Sequence, residues 1–284
     1  MNYFKRKFII LLYHKIGDYP ENAKFPGLYV SEKNFDKQIK YLKNKGYVFL
    51  TLSEMKQLYD NEYCSEPINA NSDLGTQNDN EYCSKPINAN SDLGAQNFAA
   101  DAVKNEKKKF VSITFDDGSR SIYTKGLEII KKNNVNATVF MVSDLIGGVN
   151  VWDIKNGELK DEMLKQDELL EMIKAGIEIG AHTRTHPHLT MIPEENANKE
   201  IADSKKILEE QLNININFFA YPYGDYNESV KKLVEKAGFE GAVITKTGIV
   251  KRDADFFALR RVAIRHNTDF FKFKRKIFKV KYFY

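Results

Sequence analysis

Cysteine is nearly absent from this chain. Two occur in 284 residues, Cys64 and Cys83. Both sit at equivalent positions of one duplicated segment, so they amount to a single cysteine copied. That excludes a disulfide framework and a cysteine-built zinc site. Long hydrophobic runs are also missing: none approaches the ~20 residues that a membrane-crossing helix needs. Lys5-Arg6-Lys7 followed by Phe8–Leu12 has the order of a signal peptide. Its apolar run falls short of the usual ~7–15 residues, and no small-residue cleavage site follows. A buried strand explains it better. The sequence thus favours a cytoplasmic or membrane-peripheral location, with an extracytoplasmic one left open. A general excess of one charge is lacking too. The net charge is +4, and Lys272, Lys274, Arg275, Lys276, Lys279 and Lys281 set against Asp269 make a local +5, leaving the rest of the chain at about −1. No nucleic-acid partner is expected from such a balance.

The most visible presence is a repeat. Residues 60–78 recur as residues 79–97, differing only at Glu66 against Lys85 and Thr76 against Ala95. Two polar copies cannot stack into a solenoid. Residues 60–107 therefore read as a long flexible insertion, with a binding arm as the less favoured reading.

Elsewhere apolar runs alternate with helical patterns. Strands are expected at 8–13, 47–50, 110–115, 137–142, 178–181, 218–220, 242–245 and 258–264. Helices are expected at 32–45, 53–59, 122–132, 168–175, 194–212 and 228–237, with Ser31 and Asn227 as N-caps. Repeated βα units with buried strands imply a parallel sheet covered by helices. About seven or eight units in this length favour a barrel over an open sheet. The expected organisation is one α/β barrel domain over residues 1–267, interrupted by the insertion, then a basic aromatic tail or helix over 268–284.

His14, Asp116, Asp117, His182 and Tyr221–Tyr223 each fall just past a predicted strand end, the rim where βα loops build active sites. Asp116 and Asp117 would point to opposite faces of a regular strand. Gly118 lets the chain turn, so both carboxylates can reach one cleft; the plainer alternative is that one caps the next helix. His182 and His186 are four apart, but strand precedes them and Pro187 biases His186 away from the right-handed helical region. A strand-end loop with both rings converging on one ion is expected. One carboxylate with two imidazoles leaves positions open on a divalent ion, the mark of a catalytic site. Zinc suits such donors, as do cobalt, nickel, manganese and iron. An iron oxygenase would use two His and one carboxylate, but not with a further Asp on alternating βα units.

The segments Thr114-Phe115-Asp116-Asp117-Gly118 and His182-Thr183-x-x-His186 resemble the polysaccharide deacetylase family, carbohydrate esterase family 4, of NodB-homology type. The likeness spans about residues 8–59 and 108–270 and implies a distorted (β/α)7 barrel. It implies Asp116 as catalytic base and Asp117, His182 and His186 as metal ligands. Phe219–Gly224 resembles the family's third motif. That implies substrate and oxyanion contacts from Tyr221, Pro222 and Tyr223, the Tyr223 N–H holding the oxyanion. Many members orient the base with an Arg where this chain has Ala220, and Arg260 or Arg261 could replace it. Leu11–Ile16 resembles the N-terminal motif of the poly-β-1,6-N-acetylglucosamine deacetylases, which makes His14 the general acid, with His266 as the alternative.

The implied function is metal-dependent removal of N-acetyl groups from an N-acetylglucosamine-type glycan, its substrate partner. A deformylase or other non-peptide amide hydrolase remains an alternative, as does a catalytically silent glycan-binding module. Trp152, the only tryptophan, falls on a rim loop, where it would stack on sugar or pack in the core. The tail reads as a closing helix or, less favoured, as a peripheral membrane contact.

Overall fold

The computed structural model describes residues 7–63, 109–251 and 253–283. Most of the duplicated segment, with Cys64 and Cys83, lies outside these. Strand β1 (Phe8–Tyr13) is wholly buried, and β2 (Lys15–Ile16) pairs with β3 (Tyr29–Val30). Helix α1 (Glu32–Asn44) starts at Ser31, whose Oγ accepts from the Asn34 N–H. Then come β4 (Tyr47–Phe49), α2 (Leu52–Tyr63) and β5 (Lys109–Phe115). Helix α2 runs beyond the expected 53–59, so the first residues of the repeat, Asp60–Tyr63, are helical. A π-helical turn, Ile122–Gly126, leads into α3 (Leu127–Asn133). The rest follows as β6 (Thr138–Met141), α4 (Val151–Lys155), α5 (Gln166–Lys174), β7 (Glu178–Ala181), α6 (Glu194–Leu212), β8 (Phe218–Ala220), α7 (Glu228–Lys236), β9 (Gly241–Val243), β10 (Val262–Ala263) and α8 (Phe270–Phe283).

The sheet order is β10-β1-β5-β6-β7-β8-β9, all parallel. Strand β4 pairs with the lower part of β5 and β6 with its upper part. One segment closes the seam. Leu259 bridges Val243 of β9, while Val262 and Ala263 pair with Leu11 and Leu12 of β1. Seven parallel strands thus curl into a distorted barrel, as the alternating βα pattern predicts.

Strand parity sorts the core. Phe8, Ile10, Phe110, Phe140, Phe218, Ala220, Val243 and Leu259 form one buried cluster with Leu52, Met55 and Leu58 of α2. Their neighbours Ile9, Leu11, Val111, Ile113, Ile179, Ala181 and Phe219 join the larger cluster under the surrounding helices. The first set fills the barrel, and α2 plugs its lower end. Each such aromatic or aliphatic side chain contributes about 1.5–3 kcal/mol on burial. Gly180 is needed inside: a Cβ there would stand 2.5 Å from the Phe140 ring and 2.8 Å from the Phe218 carbonyl oxygen.

At the lower end Glu178 accepts from the Leu52 N–H (2.8 Å), the Ser53 N–H (3.2 Å), Ser53 Oγ and Thr138 Oγ1 (2.6 Å). It supplies the carboxylate that the N-terminus of α2 attracts. Helix α8 buries Phe273, Ile277 and Val280, and Phe270 and Phe273 meet the ring of Tyr41 on α1. Phe271 and Phe278 of the same helix remain exposed, but its main apolar stripe packs on the protein, and membrane contact finds no support. Among the described residues no helix is long and apolar enough to cross a membrane.

Candidate metal centre

Parity carries β5 into the site. Phe110, Ser112, Thr114 and Asp116 share the inward face, so Asp116 arrives at the upper mouth of the barrel by continuing the strand. Asp117 (φ 73°) and Gly118 (φ 79°) then adopt consecutive left-handed conformations. A Cβ at Gly118 would collide with Met141 Sδ. This double turn brings the Asp117 carboxylate into the same cleft, as the glycine had suggested, instead of onto a helix cap.

Strand β7 delivers the imidazoles. Glu178, Gly180 and His182 share the inward face. His182 Nδ1–H donates to the Ala220 carbonyl at 2.7 Å, which leaves Nε2 as the free ligand atom. The chain then loops through Thr183 (φ 64°) to His186 (φ 67°). His186 avoids the right-handed helical region, as Pro187 demands, by turning left-handed rather than extended. Thr183 Oγ1 accepts from the His186 N–H at 3.0 Å and donates to the His182 carbonyl. Both Nε2 atoms stand 3.4 Å from Asp117 Oδ1. The three donor atoms lie within 4.8 Å of one another, all on buried residues. Two imidazole nitrogens and a carboxylate oxygen converging from three directions fit a divalent ion.

Asp116 is clamped by Arg261. Arg261 Nη1 and Nη2 donate to the two carboxylate oxygens at 2.7 and 2.6 Å. Nη1 also donates to Thr114 Oγ1 at 3.0 Å and Nε to the Ile244 carbonyl at 3.1 Å. The side chain has 0% exposure. Of the two arginines offered by the sequence, only Arg261 points inward. Arg260 is exposed and lies alongside Gly248.

The electrostatics follow from burial and neighbours. Burial pushes Asp116 up, but the Arg261 charge and hydrogen bonds outweigh it and hold the carboxyl below its ordinary value. Burial also opposes ionisation of Asp117, yet bonding to His182 and His186 leaves it well below the carboxylate range. Burial lowers His182, but Asp117, Asp116 and the Ala220 carbonyl win and raise it. Burial prevails at His186, which is lowered. His14 is half-buried; burial lowers it despite the upward pull of Asp117 and Asp116.

Tyr223 (φ 60°) borders the site with 43% of its surface exposed. Its ring meets that of His186 at 4.7 Å and stacks on that of His188 at 3.8 Å. Tyr221 does not reach the site. It shares the outward parity of Phe219, is fully buried, and donates its hydroxyl to the Phe257 carbonyl at 3.0 Å. Pro222 is buried and starts the 3-10 turn that carries Tyr223. His266, the alternative acid, is exposed and meets the ring of Tyr19 at 5.3 Å. Trp152 packs in the core, the second of the two expectations: 7% exposed, it also stacks on the His186 ring at 4.4 Å. The sequence reading missed Thr183 as a loop brace, although a hydroxyl between two ligands is a signal. It also missed Asp153, whose pKa rises to about 6 through burial first and Asp117 second.

A parallel barrel with a buried Asp-His-His trio and a clamped second carboxylate has the donor set that could hold a divalent ion. Comparison with known proteins gives its family. Residues 103–242 match the polysaccharide deacetylase family. The chain is 33% identical over 161 residues to YxkH of Bacillus subtilis (strain 168), an alignment covering 57% of this chain and 53% of YxkH. It therefore spans about half the length of that relative. A poly-beta-1,6-N-acetyl-D-glucosamine N-deacetylase of Staphylococcus aureus (strain MRSA252) is 24% identical over 270 residues, 92% of this chain and 76% of that protein. The solved structure of Streptococcus pyogenes deacetylase PplD in complex with acetate superposes with a TM-score of 0.69 at 24% identity, covering 96% of this chain and 98% of that one. The chain carries a polysaccharide deacetylase domain with the NodB-type fold.

Proposed function

We propose that this protein removes N-acetyl groups from an N-acetylglucosamine-type polysaccharide or glycan, with one divalent ion held by Asp117, His182 and His186. The observation that carries the reading is the pairing of that trio with Asp116, a second carboxylate fixed by Arg261 and left outside the ligand set. A mere binding site has no need of it. The names of the staphylococcal relatives point to the same substrate class. Zinc suits the nitrogen and oxygen donors, and cobalt, nickel, manganese and iron accept them too. When bound, the ion polarises a carbonyl and lowers the pKa of water.

The protein's own groups do the rest. Asp116, ionised because of Arg261, takes the proton of the attacking water as general base. The Tyr223 N–H, on a backbone held at positive φ, donates to the oxygen on which negative charge develops. His14 supplies a proton to the leaving sugar nitrogen. A carboxylate and an imidazole give the separated pKa values that a base and an acid require. The exposed Tyr223 ring offers a face for a sugar.

A silent glycan-binding module would draw its support from the alanine at position 220, and Arg261 takes that support away. The deciding experiment measures acetate released from β-1,6- and β-1,4-linked N-acetylglucosamine oligomers, before chelation, after it, and after divalent metal is restored. Metal-dependent release is the expected result. A folded, metal-loaded chain that frees formate from formylated substrates but no acetate would shift the reading to a deformylase.

A further inference from the structure

Glu200 lies on α6, away from every residue assigned a role above. Its Oε2 accepts from the backbone N–H groups of Arg184 and Thr185, each at 2.9 Å, and its Oε1 accepts from Thr185 Oγ1 at 2.7 Å. Arg184 and Thr185 are two of the three residues between the ligands His182 and His186. On either side stand Thr183 and His186, both non-glycine residues at positive φ. For β-branched Thr183 that conformation is a true outlier, and such residues cost on the order of 1–3 kcal/mol each. The strained loop persists only if something outside it fixes the backbone between its ends. A carboxylate accepting from two consecutive N–H groups makes strong, charge-assisted bonds.

The two imidazoles differ in how they are held. His182 is oriented through Nδ1 by the Ala220 carbonyl. His186 Nδ1 is buried and, among the described residues, has no hydrogen-bond partner. Metal-bound histidines almost always have their second nitrogen fixed by such a partner. The His186 ring instead depends on its stack against Trp152, its edge contacts with Tyr223 and His182, and the course of its own backbone. That backbone is what Glu200 grips.

We infer that Glu200 is a positioning residue for the metal centre: it holds the His182–His186 loop in its strained form, so that His186 meets the ion without a ring-anchoring hydrogen bond. The inference rests on the metal-centre reading above. It is tested on the full chain by Co2+ affinity, from competition with a chelator, and by the visible ligand-field absorption of the Co2+ form. Glu200→Ala should weaken Co2+ binding by about tenfold or more, the usual cost of losing an outer-shell partner, and should alter the absorption envelope. Glu200→Gln, which keeps an acceptor oxygen for both N–H groups, should restore most of both. A general loss of stability would not produce that pattern. Should Glu200→Ala fail to fold, Glu200→Asp, shorter by one methylene, serves in its place with the same expected direction. A folded variant with wild-type affinity and spectrum would overturn the inference alone. A wild-type chain that binds no divalent ion would overturn the metal centre, and the inference with it.

Discussion

Glu178 and His182 stand on the same inward face of one strand, four residues apart, at opposite ends of the barrel. The lower end is satisfied. Four donors surround the Glu178 carboxylate, and α2 and the aromatic filling seal it. The upper end is left unsatisfied by design. Asp117, His182 and His186 point at one another with ligand atoms to spare, and Asp117, Thr183, His186 and Tyr223 all sit at positive φ. Both ends hold buried carboxylates. The lower one has its partners supplied by the fold, whereas the upper trio is arranged so that an ion from solution could complete it. The lower end should therefore govern stability and the upper end chemistry.

The largest effect expected is at the upper end. Asp116→Asn should cut acetate release by about 10²–10⁴-fold, the usual contribution of a general base, while the stoichiometry of bound metal stays the same. Loss of the metal along with turnover would show that the two carboxylates are not divided in role. Next comes the lower end. Glu178→Ala strands several buried donors and should cost about 3 kcal/mol in urea unfolding, with acetate release per folded molecule unchanged. A marked fall in that specific activity would mean that the two ends are coupled.

Arg261→Met sharpens the division through pH. Burial is the largest influence on Asp116 and raises its pKa; Arg261 supplies the two largest opposing influences, and its loss leaves only the weaker pull of His182 and His14. The acid limb of the pH–rate profile should move to higher pH, and metal affinity should hold. An acid limb that stays in place would remove Arg261 from control of the base. The smallest effect is expected at Asp153. Its folded pKa, about 6, lies above the ordinary 3.8, so the folded state binds this proton more tightly than the unfolded chain does. Stability of the metal-free protein should fall as pH rises between those values and level off above about 6. Asp153→Asn should flatten that slope in unfolding curves taken across the window. An unchanged slope would place the titration elsewhere.

Much of this division was legible in the residues. The apolar runs marked the strands of the barrel, and the Asp116-Asp117-Gly118 and His182–His186 segments marked the trio. Period-two alternation carries further information about the site. Counting inward from Phe8, Phe110 and Phe218 puts Asp116 inside and Tyr221 outside. The same count from Leu259 selects Arg261 over Arg260. What no local pattern shows is contact across the ring. Arg261 reaches Asp116 only because the seam closes, and Glu178 meets Ser53 only because α2 folds under the strands. Short elements also escaped. Strands β2 and β3 have two residues each and α4 has five, too few for a periodic signal. The Trp152–His186 stack depends on α4, so it stayed hidden with it.

That stack gives the protein a built-in optical reporter. Its single indole lies face to face with the His186 imidazole, a proposed ligand, 4.4 Å between ring centroids. Charge arriving on that imidazole changes the surroundings of the only strong emitter in the chain. Tryptophan fluorescence should therefore follow the occupancy of the site directly, with no label and no substrate, and separate loaded from empty molecules in a single cuvette.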